Sequence, residues 1–171
     1  MYKELLVFDF DGTLALTPTP VEGKEMYFRK TGERWPYQGW WGRAESLEPP
    51  LEVTPGPAFS SYLEHRERED CVRVMMTGRV YKLSRTVKER LMDMGVRETC
   101  FHELVFKKGM EDTLNFKCEE LRRMIREYKP EKVRIWEDRI KHAEGFREFF
   151  KSEYANVCEF EVYQVEPSND F

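Results

Sequence analysis

Little in this 171-residue chain is suited to a disulfide framework, a zinc site or a membrane. Its four cysteines, Cys71, Cys100, Cys118 and Cys158, form no CxxC pair and have no histidine nearby at zinc-binding spacing. The expectation is therefore free, mostly buried thiols in a reducing compartment. The N-terminal residues lack a basic segment followed by a long apolar run, which predicts neither a signal peptide nor a membrane span, and a cytoplasmic location. Basic charge is not in excess. The net charge is -4, so no global field recruits nucleic acid, and any such contact needs a local patch. No repeat or long linker divides the chain, and its length suits one domain over residues 1–171.

What is present begins at Leu5-Leu6-Val7-Phe8-Asp9-Phe10-Asp11-Gly12-Thr13-Leu14. Four apolar residues in a row predict a fully buried strand, with two carboxylates one residue apart directly after it. Asp9 and Asp11 share a face if extension continues, and Gly12 permits a sharp turn just beyond. Carboxylates at the carboxyl end of a buried strand stand in the crevice where open α/β sheets bind ligands. There they suit a divalent cation, or a nucleophile beside a general acid.

From about 15 to 55 the composition changes to Pro- and Gly-rich, with Trp35, Tyr37, Trp40 and Trp41 close together. This reads as a small cap-like insertion with one short helix near Glu22–Lys30. Its aromatics either stack a base or sugar, or form the insertion's own core. Pro57 then opens a helix with Ala58, Phe59, Tyr62 and Leu63 as its apolar stripe. A strand over Val72–Met76 ends in Thr77-Gly78-Arg79, where a hydroxyl and exposed backbone amides can cradle a phosphate oxygen. Ser84 is expected to cap the next helix, whose first turns carry Arg79, Lys82, Arg85 and Lys88. That basic run is either a solvated face or a contact to substrate phosphates.

A third strand, Glu103–Phe106, leads to Lys107 and Lys108. Thr113 is expected to cap a long helix carrying Lys117 in its first turns. A cation there opposes the helix dipole, which points to a role in neutralising a phosphoryl group and a carboxylate, with Lys107 and Lys108 as rivals. Strand Val133–Glu137 delivers Glu137 and Asp138 to the same crevice, and Arg139 and His142 open the following helix. His142 either faces the site or is structural. A last strand around Phe160–Val165 reads as an edge strand. The alternation predicts an α/β fold with a parallel, three-layer sheet and right-handed crossovers.

Asp9-Phe10-Asp11-Gly12-Thr13, Thr77-Gly78-Arg79, Lys117 and Glu137-Asp138-Arg139 resemble, in order, the four motifs of haloacid dehalogenase (HAD) phosphatases. Thr17-Pro18-Thr19-Pro20, Gly39-Trp40-Trp41, Ser46-Leu47, Phe116-Lys117 and Glu137-Asp138-Arg139 with His142 and Phe146 are similar to the HAD domain of Swiss Army Knife RNA-repair proteins. The Glu-Asp-Arg motif and Tyr163-Gln164-Val165 resemble the phosphatase half of polynucleotide kinase-phosphatases. The resemblance implies a Rossmann-like sandwich, a five-stranded sheet ordered 5-4-1-2-3, Mg2+, and an aspartyl-phosphate intermediate. It implies Asp9 as nucleophile, Asp11 as general acid and base, and Thr77 and Lys117 as holders of the phosphoryl oxygens. The metal set is Asp9, Asp11, Glu137 and Asp138. The substrate-contacting set is Gly78, Arg79, Lys82, Arg85, Trp40, Trp41, Arg139 and His142. The implied substrate is a 3'-phosphate end of RNA or DNA, with a metabolite or nucleotide phosphatase and a non-catalytic phosphate- or RNA-binding module as alternatives. No kinase or ligase module is evident, so a repair kinase or ligase is expected as a separate partner.

Overall fold

The computed structural model describes residues 2–166. In chain order its elements are β1 (Glu4–Phe8), β2 (Ala15–Leu16), α1 (Pro20–Thr31), β3 (Thr54–Pro55), α2 (Phe59–His65), β4 (Cys71–Val80), α3 (Ser84–Asp93), β5 (Glu103–Lys107), α4 (Thr113–Tyr128), β6 (Lys132–Glu137), α5 (Ile140–Glu153) and β7 (Glu159–Gln164). All five residues of β1 are buried because both of its faces and both of its edges are covered. Leu6 and Phe8 point into one apolar cluster with Tyr62 of α2 and Val87 and Leu91 of α3. Leu5 and Val7 point the other way, onto Leu121, Met124 and Ile125 of α4 and Phe146, Phe149 and Phe150 of α5. The period-two alternation of a strand thus produces the three layers.

The main sheet is ordered β7-β6-β1-β4-β5, and every pairing in it is parallel. Counting only this sheet's strands, the order is the expected 5-4-1-2-3. The edge position of the last strand also holds. The cysteines are free, although only Cys71 is fully buried and the other three are half-buried. Among the described residues no helix is long and apolar enough to cross a membrane.

Several local expectations need correction. β4 runs four residues past Met76, and its register against β5 shifts between Thr77 and Val80. Thr77 Oγ1 accepts the Arg79 N–H at 3.0 Å inside this irregularity, bending the strand where it meets the cleft. Ser84 does not cap α3; it is the first helical residue, preceded by a 3-10 turn over Tyr81–Leu83. Thr113 does not cap α4 either. Asp112 does, accepting the Asn115 N–H at 2.9 Å, which leaves the Thr113 hydroxyl for Lys107. Pro57 lies two residues ahead of α2, and Leu63 is exposed rather than part of its buried stripe.

The segment between β2 and β3 is more ordered than its composition implies. These two short strands pair antiparallel, Ala15 with Pro55 and Leu16 with Thr54, and close the insertion at its base. Just beyond, Gly56 donates to Leu14 O at 2.8 Å; a side chain at 56 would stand 2.4 Å from Thr13 O, so only glycine permits this approach. α1 is a twelve-residue helix capped by Thr19, begun by Pro20 and ended by Gly32 in the left-handed region.

Candidate active site

Asp9 leaves the end of β1 with its N–H held by Trp136 O of β6 at 3.1 Å, so its position is fixed by the sheet itself. The chain turns immediately, Gly12 taking φ 70°, and Leu14 N–H returns to Asp9 O at 3.2 Å. Extension therefore stops before Asp11. Asp9 is buried, whereas Asp11 sits at the cleft mouth.

Lys117 projects from the first turns of α4 and is 2% exposed. Its Nζ donates to Asp9 Oδ1 and to Glu137 Oε2, both at 2.9 Å. Burial, together with Glu137 and Asp11, pushes the Asp9 carboxyl up to about 7 despite Lys117. Burial opposes ionisation of Glu137 too, but Lys117 and His142 hold it down at about 2. Burial alone would lower Lys117; Asp9 and Glu137 instead raise it above the ordinary lysine range. Among the described residues Asp9 Oδ2 has the Thr13 hydroxyl alone, 3.5 Å away, and is the less engaged oxygen.

Asp9, Glu137 and Asp138 bring carboxylate oxygens within 4.8 Å of one another, and all three are buried. Lys117 bonds two of these three carboxylates and offsets part of their charge, and burial makes their mutual repulsion costly. An all-oxygen donor set of that charge fits a hard divalent cation such as Mg2+. The Asp11 carboxylate lies outside this group, which corrects the expectation that its side chain is a ligand. Both of its oxygens are taken by Arg79, from Nε at 3.0 Å and Nη2 at 2.8 Å, and Oδ1 also accepts from Thr17 Oγ1 at 2.7 Å.

The same pairing engages Arg79, which is 2% exposed and lines the cleft with its guanidinium turned onto Asp11. Its Nη1 donates to Trp41 O at 3.0 Å and to Ser46 Oγ at 2.7 Å, and its guanidinium lies over the Trp41 ring. Arg79 therefore links the Thr77 loop, Asp11 and the insertion. Gly78 lines the cleft, and a side chain there would strike Thr113 Cγ2 at 2.7 Å, so close packing of β4 on α4 is a second reason for glycine.

Thr77, Gly78, Arg79, Trp41, Arg139 and His142 line the cleft; Trp40, Lys82 and Arg85 do not. Trp40 is buried, donates its indole N–H to Pro18 O at 3.2 Å and covers Gly23, where a Cβ would overlap its ring at 2.0 Å. Lys82 is exposed on the 3-10 turn. Arg85 points outward and pairs with Glu89, while Lys88 pairs with Glu98, because α3 turns Val87 and Leu91 to the core. The Arg139 N–H donates to Glu137 Oε1 at 3.3 Å, and His142 Nδ1 is 3.7 Å from the same oxygen. Lys107 and Thr113 also line the cleft. From the sequence Lys107 is a rival to Lys117 and Thr113 a helix cap, and the signal for both is their place at a strand end and at a helix start. The cleft measures about 180 Å³, room for a phosphoryl group and its surroundings, so a larger substrate extends beyond it.

The chain is 28% identical over 174 residues to "Uncharacterized protein YMR265C" of Saccharomyces cerevisiae, a match covering 87% of this chain. It spans 37% of that relative's length. Among solved structures, the Legionella pneumophila effector Ceg4 superposes with a TM-score of 0.60 at 13% identity, covering 98% of this chain and 88% of Ceg4. A class C acid phosphatase from Bacillus anthracis, solved with tungstate bound, gives 0.51 at 15% identity, covering 97% and 68%. At such identities these two structures establish a shared fold. The model of HAD domain family 1 in Swiss Army Knife RNA repair proteins matches residues 28–171, and with that span the chain belongs to this family.

Proposed function

We propose that this chain is a Mg2+-dependent phosphomonoesterase that works through an aspartyl-phosphate on Asp9 and removes 3'-phosphates from nucleic-acid ends. The observation that carries the reading is the placement of Asp9, a buried carboxylate between Lys117 and the Glu137–Asp138 pair with Asp11 at the mouth above it. Asp9, Glu137 and Asp138 would hold the cation, which when bound offsets the charge repulsion between the carboxylates and the phosphoryl group. Asp9 attacks phosphorus through a carboxylate oxygen as the bond to the leaving oxygen breaks, and Asp11, which enters this step protonated and turned from Arg79, supplies the proton that oxygen takes up. Water then attacks the same phosphorus, Asp11 accepts its proton, and the bond to Asp9 breaks to release phosphate. Lys117 and the Thr77 hydroxyl orient the phosphoryl oxygens, and Arg79 sets the direction of Asp11.

The polynucleotide substrate is supported by the small cleft and by the family's occurrence in RNA-repair proteins. Trp41 lines the cleft on the insertion side, where its ring would stack against the terminal nucleoside if that nucleoside displaces or adds to its contact with Arg79. A phosphate-release panel in Mg2+ tests both levels, comparing 3'-phosphorylated RNA and DNA oligomers with mononucleotides, sugar phosphates and p-nitrophenyl phosphate. Preference for the oligomers supports the full reading. Turnover of small esters alone leaves a metabolite phosphatase, and no turnover of any substrate removes catalysis.

A further inference from the structure

The two sides of the cleft differ in charge. On the β6 side stand the buried carboxylates of Glu137 and Asp138, with Asp9 between the sides at the end of β1. On the β5 side stand Thr77, Gly78, Thr113 and Lys107. Lys117 and Arg79 are committed, each held by carboxylates at 2.8–3.0 Å. Lys107 differs from both. It is half-buried at the carboxyl end of β5, level with Val80, and its Nζ donates to the neutral Thr113 hydroxyl at 3.1 Å. Among the described residues it forms no ion pair within 4.0 Å; the nearby Glu111 carboxylate is turned onto the N–H groups of Lys108 and Gly109. An ammonium in a cleft wall that no carboxylate pairs directly is a site for an incoming anion.

The scissile phosphoryl group belongs beside Asp9, so Lys107 addresses something else on the substrate. β5 lies two strands from β1, about 10 Å at the usual strand spacing, and a lysine side chain shortens that span. We propose that Lys107 and the Thr113 hydroxyl form a subsite for a second phosphate of the substrate, and that they select doubly phosphorylated substrates over monoesters. In a polynucleotide this second group is the internucleotide phosphate next to the end. The inference rests on the phosphatase reading for its first phosphate, but not on polynucleotides as such.

Steady-state kinetics in Mg2+ with thymidine 3'-monophosphate and thymidine 3',5'-bisphosphate test it. The unaltered protein is expected to favour the bisphosphate in kcat/KM. Lys107→Ala is expected to reduce that preference about tenfold, mainly through KM, while Lys107→Arg keeps most of it. A preference unchanged in Lys107→Ala, or a drop of equal size on both substrates, overturns the subsite. If neither ester is hydrolysed, the phosphatase reading fails, and calorimetric titration of the bisphosphate into the chain with and without Lys107→Ala decides the subsite separately. Binding weakened about tenfold supports it, and equal or undetectable binding by both overturns it. Circular dichroism of each variant excludes misfolding as the cause.

Discussion

Lys117 holds together two carboxylates that would otherwise face each other in the dark interior of the cleft, Asp9 and Glu137. Removing one partner of a buried ionic group strands the rest, so Lys117→Met should cost on the order of 3–5 kcal/mol in urea denaturation with EDTA present. Added Mg2+ should return part of that loss, because a divalent cation restores positive charge to the same carboxylates; an equal loss with and without Mg2+ would argue against a cation site there. Asp9→Asn should abolish p-nitrophenyl phosphate turnover in a folded protein, since an amide is a poor nucleophile; wild-type turnover with deamidation excluded by mass would remove Asp9 from that role. Asp11→Asn should slow turnover by roughly 10²–10⁴-fold. Asp9, Thr77, Lys117, Glu137 and Asp138 were legible from strand ends and helix starts. Arg79 was not legible, because its partner Asp11 is 68 positions away and a basic residue beside a phosphate loop reads equally well as a ligand.

At the scale of elements, the neighbouring Trp40 and Trp41 show where sequence spacing stops informing. Both are large aromatics in one loop, yet one fills the space above Gly23 and the other faces the cleft. Trp40→Ala should destabilise the insertion by about 3–5 kcal/mol, as for other buried Trp truncations, seen as early proteolysis between 15 and 55. Trp41→Ala should instead cost about 1–3 kcal/mol of oligonucleotide affinity if it stacks a base, with little change in melting. The helices α3, α4 and α5 are visible in their periodicity and turn residues, whereas α1, in a stretch of little periodicity, is expected only as a short helix near Glu22–Lys30 and runs over Pro20–Thr31. The phase of α3 is not visible, since the 3-10 turn ahead of it decides which way Lys82 and Arg85 point, and no local propensity encodes that rotation.

Across the molecule, the parallel sheet and its order follow from strands alternating with helices and from the family resemblance, and both hold. The pH response depends on contacts the sequence does not reveal. Burial, with Arg68 and Arg134 nearby, lowers His65, and burial with Arg73 lowers His102. The Nδ1 of His102 accepts the Arg73 N–H at 3.1 Å, and that of His65 lies 3.2 Å from Arg68 Nη1. Both folded-state values lie below the unfolded one, near 6.5, so their contribution is complete above that pH and is lost as pH falls from there through the lower folded-state values. Asp9 acts in the opposite sense, its raised value making stability fall as pH rises toward about 7. The test therefore compares wild type with a His65→Asn, His102→Asn variant, in which Asp9 cancels. The urea midpoint of wild type relative to the variant should drop between pH 7.5 and 5; a constant difference would show that neither imidazole is linked to folding.

The short ladder of β2 and β3 has a consequence for how this chain tolerates change in length. It brings residue 55 back beside residue 15, so everything between them is a closed loop whose ends the core already holds together. The entropy of closing such a loop grows only with the logarithm of its length, and doubling it costs about 0.6 kcal/mol. Residues can be added or removed there without shifting the register of the central sheet, provided Gly56 keeps its contact with Leu14 and Arg79 keeps a partner in the loop. The region is thus the chain's adjustable gatepost: its size can set which molecules reach Asp9 while the chemistry beneath stays fixed.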